Sequence, residues 1–263
     1  MTQVMKFCPL ASGSGGNCTY VGSNDTHLLV DAGLSGKRIE TALSSIDVPR
    51  LDGILITHEH TDHISGAGVM SRRYNLPLYA TPETWRFLLH NNTIGTVAQG
   101  LQKTITPGNQ AMIGDIEVSA FNVSHDAAQP VGYCLQVGNY KAAVATDMGY
   151  VTDTVRAILK DVNIMLLESN HDIEMLQNGP YPNMLKERVV GSLGHLSNVA
   201  AGALLADIAS DVISHVFLGH LSEENNRPML ALDTVQSILA ANEVVIENLK
   251  VAGRHEPSEM VVL

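Results

Sequence analysis

Apolar and β-branched residues come in short runs along this chain, and most of the runs end in polar clusters. Residues 26–30, 53–57, 116–121, 131–137, 141–145, 162–167, 215–218 and 244–248 read as strands. Helical segments lie between them. Thr81 before Pro82 predicts an N-cap followed by proline in the first turn. Thr152 predicts the cap of a helix running to about residue 160. Ser197 or Asn198 would cap the alanine-rich run to about 209, and Asn226 the helix that starts near Pro228 and runs to about 241. The turn Gly13-Ser14-Gly15-Gly16-Asn17 and the hairpin signal Val137-Gly138-Asn139-Tyr140 crowd the strands of the first half. Helices and strands are interleaved, yet close strand pairs around 17–31 and 116–146 break a regular βαβ rhythm. The expectation is a mixed α/β (α+β) chain with mixed sheets covered by helices, forming one domain over residues 1–263.

Composition narrows the classes. The chain has 263 residues, 45% of them apolar and 16% charged, so it can bury a sizeable core and is not a disordered chain. No apolar stretch approaches the length of a membrane span, and the N-terminal apolar patch is too short for a signal peptide. Cys8, Cys18 and Cys134 form neither an even set nor a CxxC pair, which points to the cytoplasm rather than a disulfide scaffold. The net charge of −11 argues against a broadly basic surface that coats nucleic acid, though not against a local site. Nothing in the pattern calls for an obligate protein partner. Histidine, at 11 residues, is the unusual component.

Those histidines are concentrated in one place. Thr57-His58-Glu59-His60-Thr61-Asp62-His63 follows the apolar strand at 53–56. His58 and His60 are two apart, so extended backbone projects both to one side. Asp62 and His63 can face a second ion. Three imidazoles and a carboxylate suit one or two borderline cations: zinc, manganese or iron. Further ligands are sought at other strand ends, where His125, Asp147 and His220 stand.

The HEHTDH loop, Asp31 in LLVDAG, His125, Asp147 in ATDMG and His220 together resemble the metallo-β-lactamase superfamily over nearly the whole chain. That resemblance implies an αββα sandwich, two mixed sheets flanked by helices, with the metals at one edge. It implies one cation held by His58, His60 and His125, a second held by Asp62, His63 and His220, and Asp147 bridging both. Asp31 would stand behind the ligands and orient them. The Asp-His ending of the loop, and Asp rather than Cys at 147, favour the dinuclear hydrolases. Three further blocks, residues 12–18 (SGSGGNC), 167–172 (LESNHD) and 194–198 (GHLSN), look like the YycJ/WalJ branch, regarded as DNA exonucleases or phosphodiesterases. The implied cofactor is two divalent ions (Zn2+, or Mn2+/Fe2+). The implied substrate is DNA, attacked at phosphorus by a hydroxide shared between the metals. Asp62 and Asp147 are candidates to orient that hydroxide or take its proton. A thioesterase, lactonase or cyclic phosphodiesterase would use the same chemistry on a small molecule, and a non-catalytic metal-bound scaffold is a third class.

Several residues keep two readings. His195, with the amides near Ser197 and Asn198, could hold a substrate phosphate or protonate the leaving oxygen, or could be a buried structural residue. Ser12 and Asn17 could form an anion nest or a plain tight turn. Lys186 and Arg188 are either a local basic spot or a solvated helix face. His171 is a candidate to support the ligands from behind. Trp85 reads as packing, and His27, His90, His215 and His255 as structural.

Overall fold

A computed structural model describes residues 3–263. Its framework is two sheets laid face to face. The first contains β1 (Lys6–Ala11), β2 (Cys18–Gly22), β3 (His27–Val30), β4 (Gly53–Leu55), β5 (Leu78–Ala80) and β6 (Gln102–Thr104). The second contains β7 (Gln110–Ile113), β8 (Ile116–Asn122), β9 (Val131–Val137), β10 (Tyr140–Ala145), β11 (Ile164–Glu168), β12 (His215–Gly219) and β13 (Asn248–Val251). A short β14 (Val261–Val262) returns to pair with β1, giving the orders β14-β1-β2-β3-β4-β5-β6 and β13-β12-β11-β10-β9-β8-β7. Both sheets are mixed. β1, β2 and β3 pair antiparallel before β3 to β6 run parallel, and β7 to β10 pair antiparallel before β10 to β13 run parallel.

The period of two along a strand explains why continuous apolar runs appear in the middle strands. Leu28, Val30 and Leu55 face across to Val144, Leu166 and Phe217, forming the core between the sheets. The Phe7 and Phe217 rings stack across it with centroids 6.2 Å apart. The alternate residues face outward and are covered by helices. Leu29, Ile54 and Ile56 pack under α1 (Gly36–Ser45), α2 (Thr61–Ile64) and α3 (Ala67–Tyr74). Met165, Leu167, Val216 and Leu218 pack under α5 (Asp153–Lys160), α8 (Asn198–Ile208) and α9 (Pro228–Ala241). α4 (Pro82–Asn91) joins β5 to β6, while α6 (Ile173–Asn178) and α7 (Asn183–Val190) stand between β11 and α8. Four layers result, helices outside and sheets inside, the sandwich that the resemblance implies. Among the described residues, no helix is long and apolar enough to cross a membrane.

Three caps form as expected: Thr81, Thr152 and Ser197 accept hydrogen bonds from the amides of Thr84, Val155 and Ala200. Asn226 does not cap α9. Its amide nitrogen instead donates to the Ser169 and Asn170 carbonyls and to Asn198 Oδ1, all buried, and Arg227 stands at the N-cap with no side-chain bond. The strand expected at 244–248 begins only at Asn248, where pairing with His215 of β12 starts, and Val245 is exposed. The β9–β10 hairpin has a left-handed residue only at Gly138 (φ 59°), so it follows the II′ rather than the I′ pattern. Trp85 is buried and donates to the Lys103 carbonyl, a packing role. Cys8, Cys18 and Cys134 form no disulfide.

Candidate metal centre

The candidate ligands converge because the strands of both sheets end at the same edge. Asp31 follows β3, the His58 loop follows β4, His125 follows β8, Asp147 follows β10 and His220 follows β12. At three of these ends the backbone turns sharply. Asp31, Asp147 and His220 adopt φ of 61°, 59° and 53°, left-handed conformations that cost a non-glycine residue about 1–3 kcal/mol. The surrounding bonds hold them there: Asp31 N donates to Leu55 O, and His220 N donates to Ser12 Oγ at 2.8 Å. The loop itself is stitched to the glycine-rich turn, since Asn17 N donates to Asp62 O and Gly33 N to Asn17 O. At Gly33 a Cβ would lie 1.6 Å from the Asp62 carbonyl oxygen, so only glycine permits this approach.

Two triads stand side by side. In the first, His58 Nε2 lies 3.0 Å from His60 Nδ1, which lies 3.3 Å from His125 Nε2. In the second, Asp62 Oδ2 is 3.5 Å from both His63 Nε2 and His220 Nε2. The Asp147 carboxylate sits between them, with Oδ2 3.4 Å from His63 Nε2 and Oδ1 3.7 Å from His125 Nε2. Asp147 Oδ2 and His220 Nε2 are buried and have no hydrogen-bond partner. Tetrahedral zinc with Zn–N of about 2.0–2.1 Å places its ligand atoms about 3.3 Å apart. Buried nitrogens and carboxylate oxygens converging at that spacing, two of them unpartnered, therefore fit divalent cations.

Groups behind the ligands set which ring nitrogen faces inward. His63 Nδ1 is 2.7 Å from Asp31 Oδ2, and Asp31 is held in turn by the Thr57 amide and hydroxyl. Asp31 thus stands against the His63 ring on the side away from Asp62 and Asp147. His125 Nδ1 faces the Gly194 carbonyl at 3.1 Å. His220 Nδ1 lies 2.9 Å from Glu168 Oε1, and the same oxygen lies 2.7 Å from His195 Nδ1. Glu168 is fully buried, and its other oxygen accepts from the amides of Met148 and Leu196. Sequence reading did not single it out. The available signal was an ionisable residue closing the buried apolar run Ile164 to Leu167, beside the expected site.

The other sequence candidates divide. His195 reaches the site: it lines a cavity of about 210 Å3 with His60, Asp62, Asp147 and His220, and its Nδ1 is taken by Glu168, leaving Nε2. Ser12, Asn17 and Asn198 are buried rather than open to a substrate. Ser12 holds the His220 backbone. Asn17 Nδ2 approaches Asp62 Oδ2 and His63 Nε2, and Asn198 bonds Ser169 and Asn226. Ser197 spends its hydroxyl on the α8 cap. His171 is buried, and its backbone bridges to Ser197, but its side chain bonds none of the ligands. Burial pushes its imidazole down to about 4. Arg188 lines the cavity and is paired with Asp126 through two bonds of 2.6 and 3.0 Å, so it is more than a solvated helix face.

The electrostatics follow from four carboxylates among these imidazoles. Burial opposes charge everywhere here, yet the carboxyls of Asp62, Asp147 and Glu168 are all held below their usual range by the neighbouring histidines. Asp31 is the exception: burial outweighs His63 and Thr57 and raises it. Burial, with three neighbouring imidazoles, drives His58 well down. For His220, burial is outweighed by Asp147, Asp62 and Glu168, which hold it up at about 10, and His63 is likewise raised well above its ordinary value by Asp147 and Asp31. Without a cation both rings carry a proton at pH 7. That pairing is complete below an unfolded value of about 6.5 and, for His220, is lost as pH rises through about 10. A cation must displace both protons. Titrating the protein with zinc at pH 7 in weak buffer with an indicator dye should release about two protons per chain, and affinity should rise with pH toward about 10. Release of none would contradict this charge arrangement.

Strand-end ligands on an αββα sandwich define a class. The β-lactamase superfamily domain matches residues 26–221, and the chain belongs to that superfamily as a metal-dependent hydrolase. It is 44% identical over 237 residues to the exodeoxyribonuclease YycJ of Bacillus anthracis, covering 89% of each chain. It is 40% identical over 237 residues to the exodeoxyribonuclease WalJ of Streptococcus pneumoniae, covering 89% of this chain and 88% of that one. The fold is also that of the metallo-β-lactamase fold protein YhfI from Bacillus subtilis, with a TM-score of 0.74 and 14% identity over the full length of both chains.

Proposed function

We propose that this protein is a dinuclear exodeoxyribonuclease that hydrolyses phosphodiester bonds at DNA ends. The observation that carries the dinuclear reading is Asp147, whose carboxylate lies 3.4 and 3.5 Å from His63 and His220 of one triad and 3.7 Å from His125 of the other, and of which one oxygen is buried without a partner. His58, His60 and His125 would hold one cation, Asp62, His63 and His220 the other, with Asp147 between them. Two divalent cations, if held there, would supply an acidified water and neutralise charge on the phosphoryl oxygens. The protein's own groups do the rest. Asp62, kept ionised on the cavity wall, accepts a hydrogen bond and orients the attacking water. His195, with Nδ1–H fixed on Glu168, would in its doubly protonated form present Nε2–H to the leaving oxygen and donate that proton there, returning to the neutral ring. The relatives' activity supports DNA as the substrate.

The cavity of about 210 Å3 is also compatible with a small phosphodiester or thioester, the second reading. A panel separates the two. Protein supplied with zinc or manganese should release terminal nucleotides from end-labelled DNA and cleave bis(p-nitrophenyl) phosphate. Cleavage of a glutathione thioester with no attack on DNA would overturn the nuclease reading.

A further inference from the structure

The catalytic cavity is a poor place to grip a long polyanion. The one lysine or arginine lining it, among the described residues, is Arg188, and Asp126 is already paired with it. A second concavity of about 640 Å3 lies between α1 and residues 255–258. Its lining includes Leu34, Lys37, Arg38 and His255, with Glu256 as its one carboxylate.

The glycine-rich turn lines the first through Ser14 and packs against Leu34 of the second. Gly16 lies so close to Leu34 that a Cβ there would come within 2.8 Å of the Leu34 side chain. Arg254 ties the same turn from the other side. Its Nη2 donates to the carbonyl of Ser222, a cavity residue, at 3.2 Å, and its Nη1 is buried beside Gly13 with no partner. Among the described residues, six of the 16 Lys and Arg side chains form ion pairs, and Lys37, Arg38 and Arg254 are among the ten that do not. Lys37 and Arg38 on the groove, against one groove carboxylate, with Arg254 beside the turn, make a local excess of positive charge in a chain of net charge −11.

We propose that this groove carries the backbone of the DNA strand being degraded. The strand passes from the metal centre over the turn at 13–17 and runs along α1. Lys37 and Arg38 bind its phosphates, and Arg254 adds positive potential at the crossing. The inference rests on the nuclease reading above. It adds a binding track outside the catalytic cavity and predicts that affinity depends on strand length.

The test uses the double variant Lys37→Ala, Arg38→Ala. Both side chains are exposed on α1, and neither belongs to the metal centre. Steady-state rates would be measured on a single-stranded 12-mer, a dinucleotide and bis(p-nitrophenyl) phosphate between 50 and 200 mM salt. The 12-mer KM should rise about tenfold. The slope of log(kcat/KM) against log[salt] should become shallower by about 1.4, since each phosphate neutralised on a single strand adds about 0.7 to it. Rates on the dinucleotide and on bis(p-nitrophenyl) phosphate should not change. An unaltered KM and salt slope on the 12-mer would overturn the track while leaving the nuclease reading intact. Inhibition by polyglutamate as strong as by a non-cleavable oligonucleotide would also overturn it, because the groove would then accept any polyanion. Wild-type protein that hydrolyses bis(p-nitrophenyl) phosphate but no DNA would instead overturn the nuclease reading itself.

Discussion

Replacing Asp147 with alanine should lower turnover on DNA by about a thousandfold or more and leave fewer than two cations bound per chain. The size follows from what the residue touches. Its carboxylate reaches His63 on one side and His125 on the other. Losing it would remove the shared anionic ligand and the geometry of both triads, and several kcal/mol of metal-supplied stabilisation corresponds to three or more powers of ten in rate. The folded protein should survive the change. In the absence of cations, Asp147 is a buried charge facing imidazoles, held in a left-handed backbone conformation, and alanine relieves the burial while losing the pairing. Elemental analysis alongside circular dichroism checks both halves of this statement. Full activity with two cations retained would remove Asp147 from the centre.

The second large effect concerns Glu168 and His195. Glu168→Gln keeps the shape but replaces a carboxylate that orders His195, His220 and two backbone amides with a neutral amide. Groups that orient ligands in this way typically cost 10–100-fold when changed, and loss of a positioned proton donor costs a further 10²–10⁴-fold. Turnover of DNA should fall about 100-fold or more. His195→Ala should fall comparably while retaining its metals, since the triads are complete without it. The diagnostic is the leaving group. A p-nitrophenolate departs without a proton, so both variants should lose far less on bis(p-nitrophenyl) phosphate than on DNA. An equal loss on both substrates would show that His195 donates no proton. Loss of metal in step with activity would make His195 a ligand instead.

How much of this was legible beforehand depends on what each residue does locally. The ligand candidates could be found because each combines a metal-binding side chain with the end of an apolar strand, and three histidines with an aspartate rarely crowd six residues otherwise. Asp31 was reached only through the resemblance, since a lone aspartate after a strand is otherwise an ordinary loop residue. Glu168 was not found, because a single carboxylate closing a strand looks like an ordinary strand terminus until β10, β11 and β12 are placed side by side in the sheet. Ser12, Asn17 and Asn198 show the converse. Small polar residues in a glycine-rich turn or at a helix start suggest an anion site. Which way they face is decided by tertiary packing, here by His220, Asp62 and Asn226. The displaced strand near residue 248 is a register effect: Val244, Val245 and Ile246 are apolar, but pairing with β12 begins opposite His215 and leaves Val245 in solvent. Asn226 was a sound cap by residue type, yet three buried oxygens claimed its amide first.

A two-metal phosphodiesterase that works from DNA ends must distinguish a strand with ends from one without. Linear single-stranded DNA and a covalently closed circle of the same sequence would be incubated with the manganese- or zinc-loaded protein and followed by gel and by nucleotide release. The linear strand should shorten progressively into mononucleotides, with the circle untouched. Cutting of the circle at a rate similar to the linear strand, or an intact linear strand with both cations bound, would contradict this reading.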